Sequence, residues 1–223
     1  MLTLDENSSR HIAQVLRMQA GERLQLTNGE GVLLTAVITD AHKKHCQVRI
    51  EETQTFPVAA RQLTLCVSLL KNAARIEWLL EKATEMGVHR IVPLLTHRTV
   101  REKFRMDRMQ GILTSAMLQS QQCWLPQLKE PVVFEDLFNQ PYIKSIPHRF
   151  IAHCIPGGRE EWIHQSLAEK AEAMILIGPE GDFTPGEIKE AIAQGCKAVA
   201  LGPNRLRTET AAMAAVAGYY LHS

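Results

Sequence analysis

The chain has 223 residues, of which 45% are hydrophobic and 22% charged, and its 25 basic residues nearly balance 24 acidic ones. This composition excludes intrinsic disorder, which combines low hydrophobicity with a large net charge. The 13 Gly and 10 Pro are too few for a collagen-like or linker sequence. No apolar run reaches the ~18 residues of a membrane span, and the first residues lack a signal-peptide pattern. We therefore expect a folded cytoplasmic protein of one or two domains, with no membrane partner.

The cysteines are odd in number, widely spaced and without a CxxC pair; they are Cys46, Cys66, Cys123, Cys154 and Cys196. This usage predicts reduced, mostly buried thiols. His42 and His45 beside Cys46 lack further partners at ligand spacing, so we expect no metal site. His153 and Cys154 fall in an apolar run, which favours core residues over a nucleophilic pair.

The positive charge is concentrated in residues 61–110, which hold ten basic and five acidic side chains. Between residues 90 and 108, six basic side chains accompany only Glu102 and Asp107. Such a cluster suits a polyanionic partner held through its phosphates. A solvated helix face explains the charge pattern equally well.

The first 60 residues predict a small β-barrel-like domain. A helical stretch is expected around Ser9–Met18, and alternating apolar runs predict three strands, at Arg23–Thr27, Val32–Thr39 and Cys46–Ile50. Asn28-Gly29 between two of these runs indicates a hairpin, with positive φ at both turn positions. The polar segment 51–58, which contains Pro57, resembles a linker, and we place a domain boundary near residue 60.

Beyond residue 60, strand and helix patterns alternate. Strands are expected at 63–69, 90–95, 150–154, 174–177 and 198–201, and helices at 73–86, 103–121, 185–194 and 209–221. Gly87 is expected to cap the first of these helices. The alternation predicts an α/β domain with a parallel sheet covered by helices. Residues 125–148 are rich in Pro and polar residues and are expected to be irregular.

One glycine-rich segment, Gly178-Pro-Glu-Gly-Asp182, follows an apolar strand and precedes a helix. Thr184 as N-cap, Pro185 at the first helical position and Glu187 form a capping-box pattern. Loops at the carboxyl ends of parallel strands bind ligands in α/β proteins. The segment is neither a P-loop nor a dinucleotide fingerprint, and a turn that merely closes a helix is the alternative interpretation.

A second segment, Leu201 to Thr210, also runs from a strand through a polar loop into a helix. Arg205, Arg207 and Glu209 lie around this loop, and small residues fill the helix behind it. Small side chains allow close packing, either within the chain or across a dimer. The alternative is an alanine-rich core helix with a solvated cap.

Together, motifs along nearly the whole chain resemble the RsmE family of SPOUT methyltransferases. These motifs are His11 to Arg17, Asn28-Gly29, Glu81 to Pro93, Gln119-Ser120, Gly178 to Asp182 and Leu206 to Thr210. Members transfer a methyl group from S-adenosylmethionine to N3 of a uridine in 16S ribosomal RNA. The resemblance implies a PUA-like β-barrel at residues 1–60 that binds RNA, and an α/β domain at 61–223 with a trefoil knot. It also implies a homodimer with its active site at the subunit interface.

The resemblance assigns the cofactor to the knot loops, with contacts at Leu95, Thr96, Leu176, Ile177, Gly178, Glu180, Gly181, Leu201, Gly202, Leu206 and Thr208. Arg207 and Glu209 are the candidate catalytic residues. Arg207 would stabilise negative charge on the uracil oxygens, while Glu209 orients it or Glu180 accepts the N3 proton; these roles stay open.

The candidate RNA contacts are His11, Arg17, Lys71, Arg75, Lys82, Arg98 and Arg101. Taken singly, each cation is more simply interpreted as an ordinary surface charge, and His11 as a residue packed in the barrel. Three positions depart from the family pattern: Leu118, Asp182, and the pair Asn204-Arg205. The role of that pair therefore stays open.

Two other functions remain compatible with the sequence: a methyltransferase acting on tRNA or 23S rRNA, and a non-catalytic ribosome-assembly factor that binds RNA. The intact Gly-Pro-Glu-Gly and Leu-Arg-Thr-Glu-Thr segments disfavour the latter. We expect Gly181→Val to abolish cofactor binding while leaving RNA binding nearly unchanged. The modified nucleotide, and whether free 16S rRNA or an assembled small subunit is the substrate, do not follow from the residues.

Overall fold

The computed structural model describes residues 1–100, 103–155, 161–162 and 171–221. The chain divides into two compact units, Met1–Val58 and Ala59–Ser223. Within the described ranges, no helix has both the length and the apolar character needed to cross a membrane.

The first unit is built on a four-stranded antiparallel sheet. Its strands are β1 (Leu2–Thr3), β2 (Arg23–Thr27), β3 (Val32–Asp40) and β4 (Gln47–Thr55), in the order β1-β4-β3-β2. Helix α1 (Glu6–Arg10) leads directly into a π-helical turn, His11–Val15. Because β1 and β2 form the two edges of the sheet in this unit, the sheet is open, and the expected barrel is not closed.

The hairpin between β2 and β3 is confirmed, but its turn differs from the expectation. Positive φ angles occur at Gly29 (72°) and Gly31 (87°), not at Asn28. The Asn28 side chain instead accepts hydrogen bonds from the backbone N–H groups of Glu30 (2.8 Å) and Val32 (3.2 Å). The two left-handed positions are thus Gly29 and Gly31, and the Asn28 side chain stabilises the turn that contains them.

The predicted linker at 51–58 was wrong for its first five residues. β4 continues to Thr55, which pairs with Val32 of β3. All residues from Glu51 to Thr55 are exposed, so no apolar alternation marks them as strand. The backbone ladder and β-branched threonines suffice to extend the strand, although polarity and Pro57 indicate a linker in the sequence.

The second unit contains a parallel sheet of eight strands. Its strands are β5 (Gln62–Ser68), β6 (Arg90–Leu95), β7 (Gln127–Leu128), β8 (Val132–Val133), β9 (His148–Ala152), β10 (Glu161–Trp162), β11 (Glu172–Ile177) and β12 (Lys197–Ala200). The order is β10-β12-β9-β11-β5-β6-β7, with β8 also paired to β6. All these pairings are parallel, as the strand–helix alternation predicted.

Helices cover both faces of this sheet. They are α2 (Ala73–Glu85), α3 (Met106–Gln119), α4 (Phe134–Leu137), α5 (Pro141–Lys144), α6 (Pro185–Ala193) and α7 (Thr208–Tyr220). Residues 173, 175 and 177 of β11 join the core with α2, α3 and α7, whereas residues 174 and 176 join the core with α4 to α6. Side chains alternate along a strand, so each strand of the sheet's centre is apolar on both faces.

The prediction that 125–148 is irregular was wrong. The segment adds β7 and β8 to the sheet and forms α4 and α5. Phe134, Leu137 and Ile143 are fully buried in the second core. Elements of two to four residues are too short to show periodicity in the sequence, although their apolar side chains fill the core.

Candidate functional site at the carboxyl ends of the parallel strands

The two predicted loops meet at one edge of the parallel sheet. The first follows β11 and the second follows β12, and between them lies a cavity of about 280 Å³. Its lining residues are Cys154, Ile177, Gly178, Pro179, Glu180, Asp182, Arg205, Leu206, Arg207, Thr208 and Ala211. A second cavity of about 50 Å³ shares Cys154, Leu206 and Ala211 and extends to Leu201, Gly202 and Asn204. The edge is the one at which parallel α/β sheets bind ligands.

The loop after β11 is closely packed at its first glycine. A Cβ atom on Gly178 would lie 3.1 Å from the backbone nitrogen of Phe183 and 3.1 Å from its ring. Phe183 is only 1% exposed and anchors the loop in the second core. Gly178 therefore allows the loop to fold back over its own following residues.

Three carboxylates of this segment bind backbone N–H groups that follow three other strands. Glu180 accepts from Lys71 N after β5 (3.3 Å), and Asp182 accepts from Cys154 N after β9 (2.8 Å). Glu187 accepts from His97 N after β6 (2.9 Å). Hydrogen bonds to a carboxylate are stronger than those between neutral groups. The segment Gly178–Glu187 therefore joins the ends of four neighbouring strands.

Glu187 has a double role because it is also part of the predicted capping box. Its side chain accepts from Thr184 N (2.7 Å) and Thr184 Oγ1 (2.9 Å), while Thr184 Oγ1 accepts from Glu187 N (3.2 Å). The side chain is nearly fully buried, at 5% exposure. The same carboxylate thus starts α6 and holds the loop after β6.

The loop after β12 is constructed differently. Arg205 and Arg207 are exposed at the cavity, and within the described part of the chain neither side chain makes a hydrogen bond or ion pair. Two guanidinium groups without partners leave their charge available to an anionic ligand.

The structure separates the two candidate catalytic residues. Arg207 lines the cavity, whereas Glu209 does not, because the cavity meets the helix face that carries Thr208 and Ala211. Glu209 Oε1 lies 3.5 Å from Arg75 Nε on α2. Its Oε2 is buried and has no hydrogen-bond partner among the described residues. Glu209 is thus paired with Arg75 and not with Arg207.

Of the expected cofactor contacts, most lie at the two cavities: Ile177, Gly178, Glu180, Leu201, Gly202, Leu206 and Thr208. Leu176 instead points into the second core, where it is fully buried. Thr96 is buried and its backbone N–H donates to Thr99 Oγ1 at 2.8 Å, and half-buried Leu95 pairs with β8. Neither residue is in the lining of these cavities.

Gly181 is exposed and packs against a candidate RNA contact. A Cβ atom there would lie 3.2 Å from Arg98 Cδ, and Arg98 Nη1 donates to the Gly181 carbonyl oxygen. The Gly181→Val variant expected to separate cofactor binding from RNA binding therefore also displaces Arg98. Gly178 is the better position for that experiment, because its contacts are internal to the loop.

The other candidate RNA contacts fall into distinct settings. Lys71 is exposed beside the loop after β11, while Arg75 is half-buried against Glu209. Lys82 binds Glu81 (2.7 Å) and Glu85 (2.9 Å), and these hydrogen bonds raise its pKa. These two carboxylates of α2 therefore largely neutralise the charge of Lys82. Arg101 lies outside the described residues.

In the first unit, His11 and Arg17 are both exposed. The packed interpretation of His11 is therefore wrong, since the side chain at the start of the π-helical turn faces solvent. Arg17 has a left-handed backbone, with φ of 57°. Both side chains are free to meet a partner.

Sequence reasoning assigned no site role to five lining residues: Cys154, Pro179, Asp182, Arg205 and Ala211. Cys154 was expected in the core, but β9 ends at Ala152 and Cys154 is exposed. The strand–helix topology could have indicated Cys154, because a residue that follows a parallel strand in the centre of a sheet lies at the ligand-binding edge. Of the other cysteines, Cys46, Cys66 and Cys196 are buried, as expected.

This edge of the sheet, with its polar cavity between two strand-to-helix loops, defines an α/β ligand-binding domain. The sequence model of an RNA methyltransferase domain matches residues 57–219, and that of an RNA methyltransferase PUA domain matches residues 4–51. The chain therefore belongs to the RNA methyltransferase domain family and carries an N-terminal PUA domain.

Individual proteins agree with this assignment. A probable rRNA-methyltransferase from Porphyromonas gingivalis is 34% identical and has a TM-score of 0.86, with 99% of this chain and 92% of that chain covered. The ribosomal RNA small subunit methyltransferase E from Neisseria gonorrhoeae, solved bound to S-adenosyl methionine, is 30% identical with a TM-score of 0.85; the coverage is 97% and 89%. The Rickettsia conorii protein of that name is 29% identical over 93% of this chain and 84% of its own length.

Proposed function

We propose that the protein methylates N3 of a uridine in 16S rRNA, with S-adenosylmethionine as methyl donor. The observation that carries the proposal is the polar cavity at the carboxyl ends of β11 and β12, in a chain of the RNA methyltransferase domain family. The relative from Neisseria gonorrhoeae was solved with S-adenosyl methionine. Residues 1–60 serve as the RNA-binding module, and 61–223 as the catalytic domain.

The chemistry of the cavity fits this cofactor, which carries an ammonium, a carboxylate and a planar adenine ring. Ile177, Leu206 and Ala211 offer apolar surface, and Glu180 offers negative charge. Gly178 and Gly202 line the two cavities, where their backbones supply hydrogen-bonding groups for a heterocycle. We place the cofactor between the two loops, which in the proposed fold are threaded as a trefoil knot.

When bound, the cofactor supplies a methyl group on a positively charged sulfur. The residues of this chain then have three tasks: to hold the uracil in line, to balance its charge and to receive its N3 proton. The target base must leave its stack to enter the site. Arg207, with no partner in the described part of the chain, is placed to stabilise negative charge on the uracil oxygens as N3 loses its proton.

The positions of the two candidate carboxylates distinguish between them as proton acceptors. Glu180 lines the cavity and is exposed, whereas Glu209 is buried against Arg75. We therefore assign proton acceptance to Glu180 and a positioning role to Glu209, which holds the start of α7 against α2. A general base must reach the proton that it removes, and of these two carboxylates only Glu180 lines the cavity. Asp182 also lines it, but both of its oxygens already accept backbone N–H groups.

The proposed RNA contacts of the second unit are Lys71 and Arg98 beside the cavity, and those of the first unit are His11 and Arg17. Phosphate contacts of this kind supply affinity that depends on salt. Arg75 and Lys82 contribute less, because each already faces a carboxylate. Arg101 stays a candidate from the sequence. The protein works as a homodimer, with the active site at the subunit interface and the assembled small subunit as substrate.

The decisive experiment measures methyl transfer from labelled S-adenosylmethionine. Small ribosomal subunits lacking native N3-methyluridine are compared with free 16S rRNA, 23S rRNA and tRNA, and the modified nucleoside is identified by mass spectrometry. N3-methyluridine in the subunits is the expected result. Product only in tRNA or 23S rRNA would overturn the substrate, and neither product nor cofactor binding would favour an RNA-binding assembly factor. Light scattering of the purified protein tests the dimer.

A further inference from the structure

Asp182 is one of three non-glycine residues with a left-handed backbone in the described part of the chain, at φ of 64°. An L-residue is strained in this region, although Asp tolerates it better than most residues. Strain of this kind persists where the surrounding contacts enforce it. The contacts of the Asp182 side chain therefore indicate what the strained conformation provides.

Both carboxylate oxygens of Asp182 accept backbone N–H groups. Oδ2 accepts from Cys154 N (2.8 Å), and Oδ1 accepts from Phe183 N (2.8 Å). The Asp182 backbone N–H itself donates to the Pro179 carbonyl (2.9 Å) and closes the tight turn that carries Glu180. One side chain thus connects the loop after β9, the turn after β11 and the entry to α6.

The bond to Cys154 matters because β9 ends two residues earlier, at Ala152. The N–H of Cys154 therefore has no ladder partner, and Asp182 supplies its acceptor. Cys154, Gly178 and Asp182 all line the 280 Å³ cavity. The hydrogen bond holds the loop after β9 against the loop after β11, and the two together form one continuous wall.

We propose that Asp182 is a positioning residue for the ligand cavity: its carboxylate fixes the Cys154 wall at the distance that the cofactor needs. The proposal rests on the proposed function for the identity of the ligand. The position of Cys154 is measurable without any ligand, so this part of the proposal does not depend on the proposed function.

The test uses three variants. Asp182→Gly removes both acceptors and relieves the backbone strain, whereas Asp182→Asn keeps one carbonyl acceptor and tolerates the left-handed conformation. Gln121→Gly is the matched control, since Gln121 is exposed, has φ of 56° and lies outside the cavity lining. It reports what relief of backbone strain alone does to the two measured quantities, the Kd and the alkylation rate of Cys154.

Two readouts are combined. Isothermal titration calorimetry gives the Kd for S-adenosylmethionine, and the alkylation rate of Cys154 by iodoacetamide gives the loop position without ligand. Cys46, Cys66 and Cys196 are buried, and a Cys123→Ser background removes the remaining half-buried thiol. Burial raises the pKa of Cys196 to about 12, which further suppresses its alkylation.

For Asp182→Gly we expect a Kd raised roughly tenfold and a changed Cys154 alkylation rate, since a hydrogen bond to a carboxylate is lost. Asp182→Asn keeps one of the two acceptors and should give intermediate values of both. Unchanged Kd and alkylation in Asp182→Gly would overturn the proposal. An Asn variant that binds the cofactor as weakly as the Gly variant while its Cys154 alkylation rate stays unchanged would also overturn it, because the negative charge would then act on the ligand directly.

The two proposals fail in distinguishable ways. If the unsubstituted protein does not bind S-adenosylmethionine, the proposed function fails, yet the alkylation rates still decide whether Asp182 positions Cys154. If the cofactor binds and alkylation is unaffected by Asp182→Gly, the positioning role fails alone.

Discussion

The loop after β11 and the loop after β12 occupy equivalent places, between a parallel strand and a helix, but they are stabilised in opposite ways. In the first, Glu180, Asp182 and Glu187 all bind backbone N–H groups of neighbouring loops. In the second, the exposed side chains of Arg205 and Arg207 have no such partners within the described residues. The contrast indicates a preorganised acidic wall facing a basic wall whose charge is left for the substrate.

The largest effect is expected at the basic wall. Arg207→Ala should lower kcat by roughly a hundredfold or more, as removal of one transition-state charge stabiliser commonly does. Steady-state methylation at saturating cofactor and varied RNA concentration measures kcat and KM, and Arg207→Lys should restore part of kcat. A raised KM with unchanged kcat would mean that Arg207 contributes only to RNA binding. The two loops would then not differ in their part in catalysis.

The acidic wall is tested most severely at Gly178. In Gly178→Ala the new Cβ meets the Phe183 backbone, and overpacking of this kind costs about 1–3 kcal/mol. The Kd for S-adenosylmethionine, measured by calorimetry, should therefore rise roughly tenfold to a hundredfold. Gly186→Ala is the control, since its Cβ would approach only Thr184 Oγ1, at 3.8 Å. Equal affinities of the two variants would contradict the rigidity of this wall.

A smaller effect, on the stability of the fold, is expected from substitution of Glu187, the buried carboxylate beneath the same loop. In Glu187→Gln the side-chain amide cannot accept all of the hydrogen bonds that the carboxylate accepts. We therefore expect the free energy of unfolding to fall by about 2 kcal/mol. Urea denaturation measures the change. Glu190→Gln on the same helix is the matched control. If both variants had the same free energy of unfolding, the hydrogen bonds of Glu187 that join α6 to the loop after β6 would contribute nothing to stability.

The smallest effect is expected at Arg205. Arg205→Ala should weaken RNA binding a few-fold and reduce the slope of log affinity against log salt by about one. Filter binding at several salt concentrations measures the slope. Lys197→Ala serves as control, because Lys197 is exposed at the other end of β12. A slope that is the same in both variants would mean that the charge of Arg205 does not face phosphate.

The sequence determined most of the regular structure of the second unit. β6 and the start of α6 were predicted at their observed positions, because apolar periodicity and the Thr184 capping box are local signals. Other features left no local signal. β4 beyond Ile50 is exposed, and β7, β8, α4 and α5 are too short for a period to appear.

The same division holds at the site. From the sequence alone, the two loops, Arg207 and the expected cofactor segments were recognisable, since they are contiguous motifs. Only the tertiary structure decided that Cys154 faces the cavity, that Leu176 faces the core and that Glu209 pairs with Arg75. These outcomes depend on which strands are neighbours in the sheet and on which helix face meets it. Residues far apart in the chain set those relations, and no local pattern of residues records them.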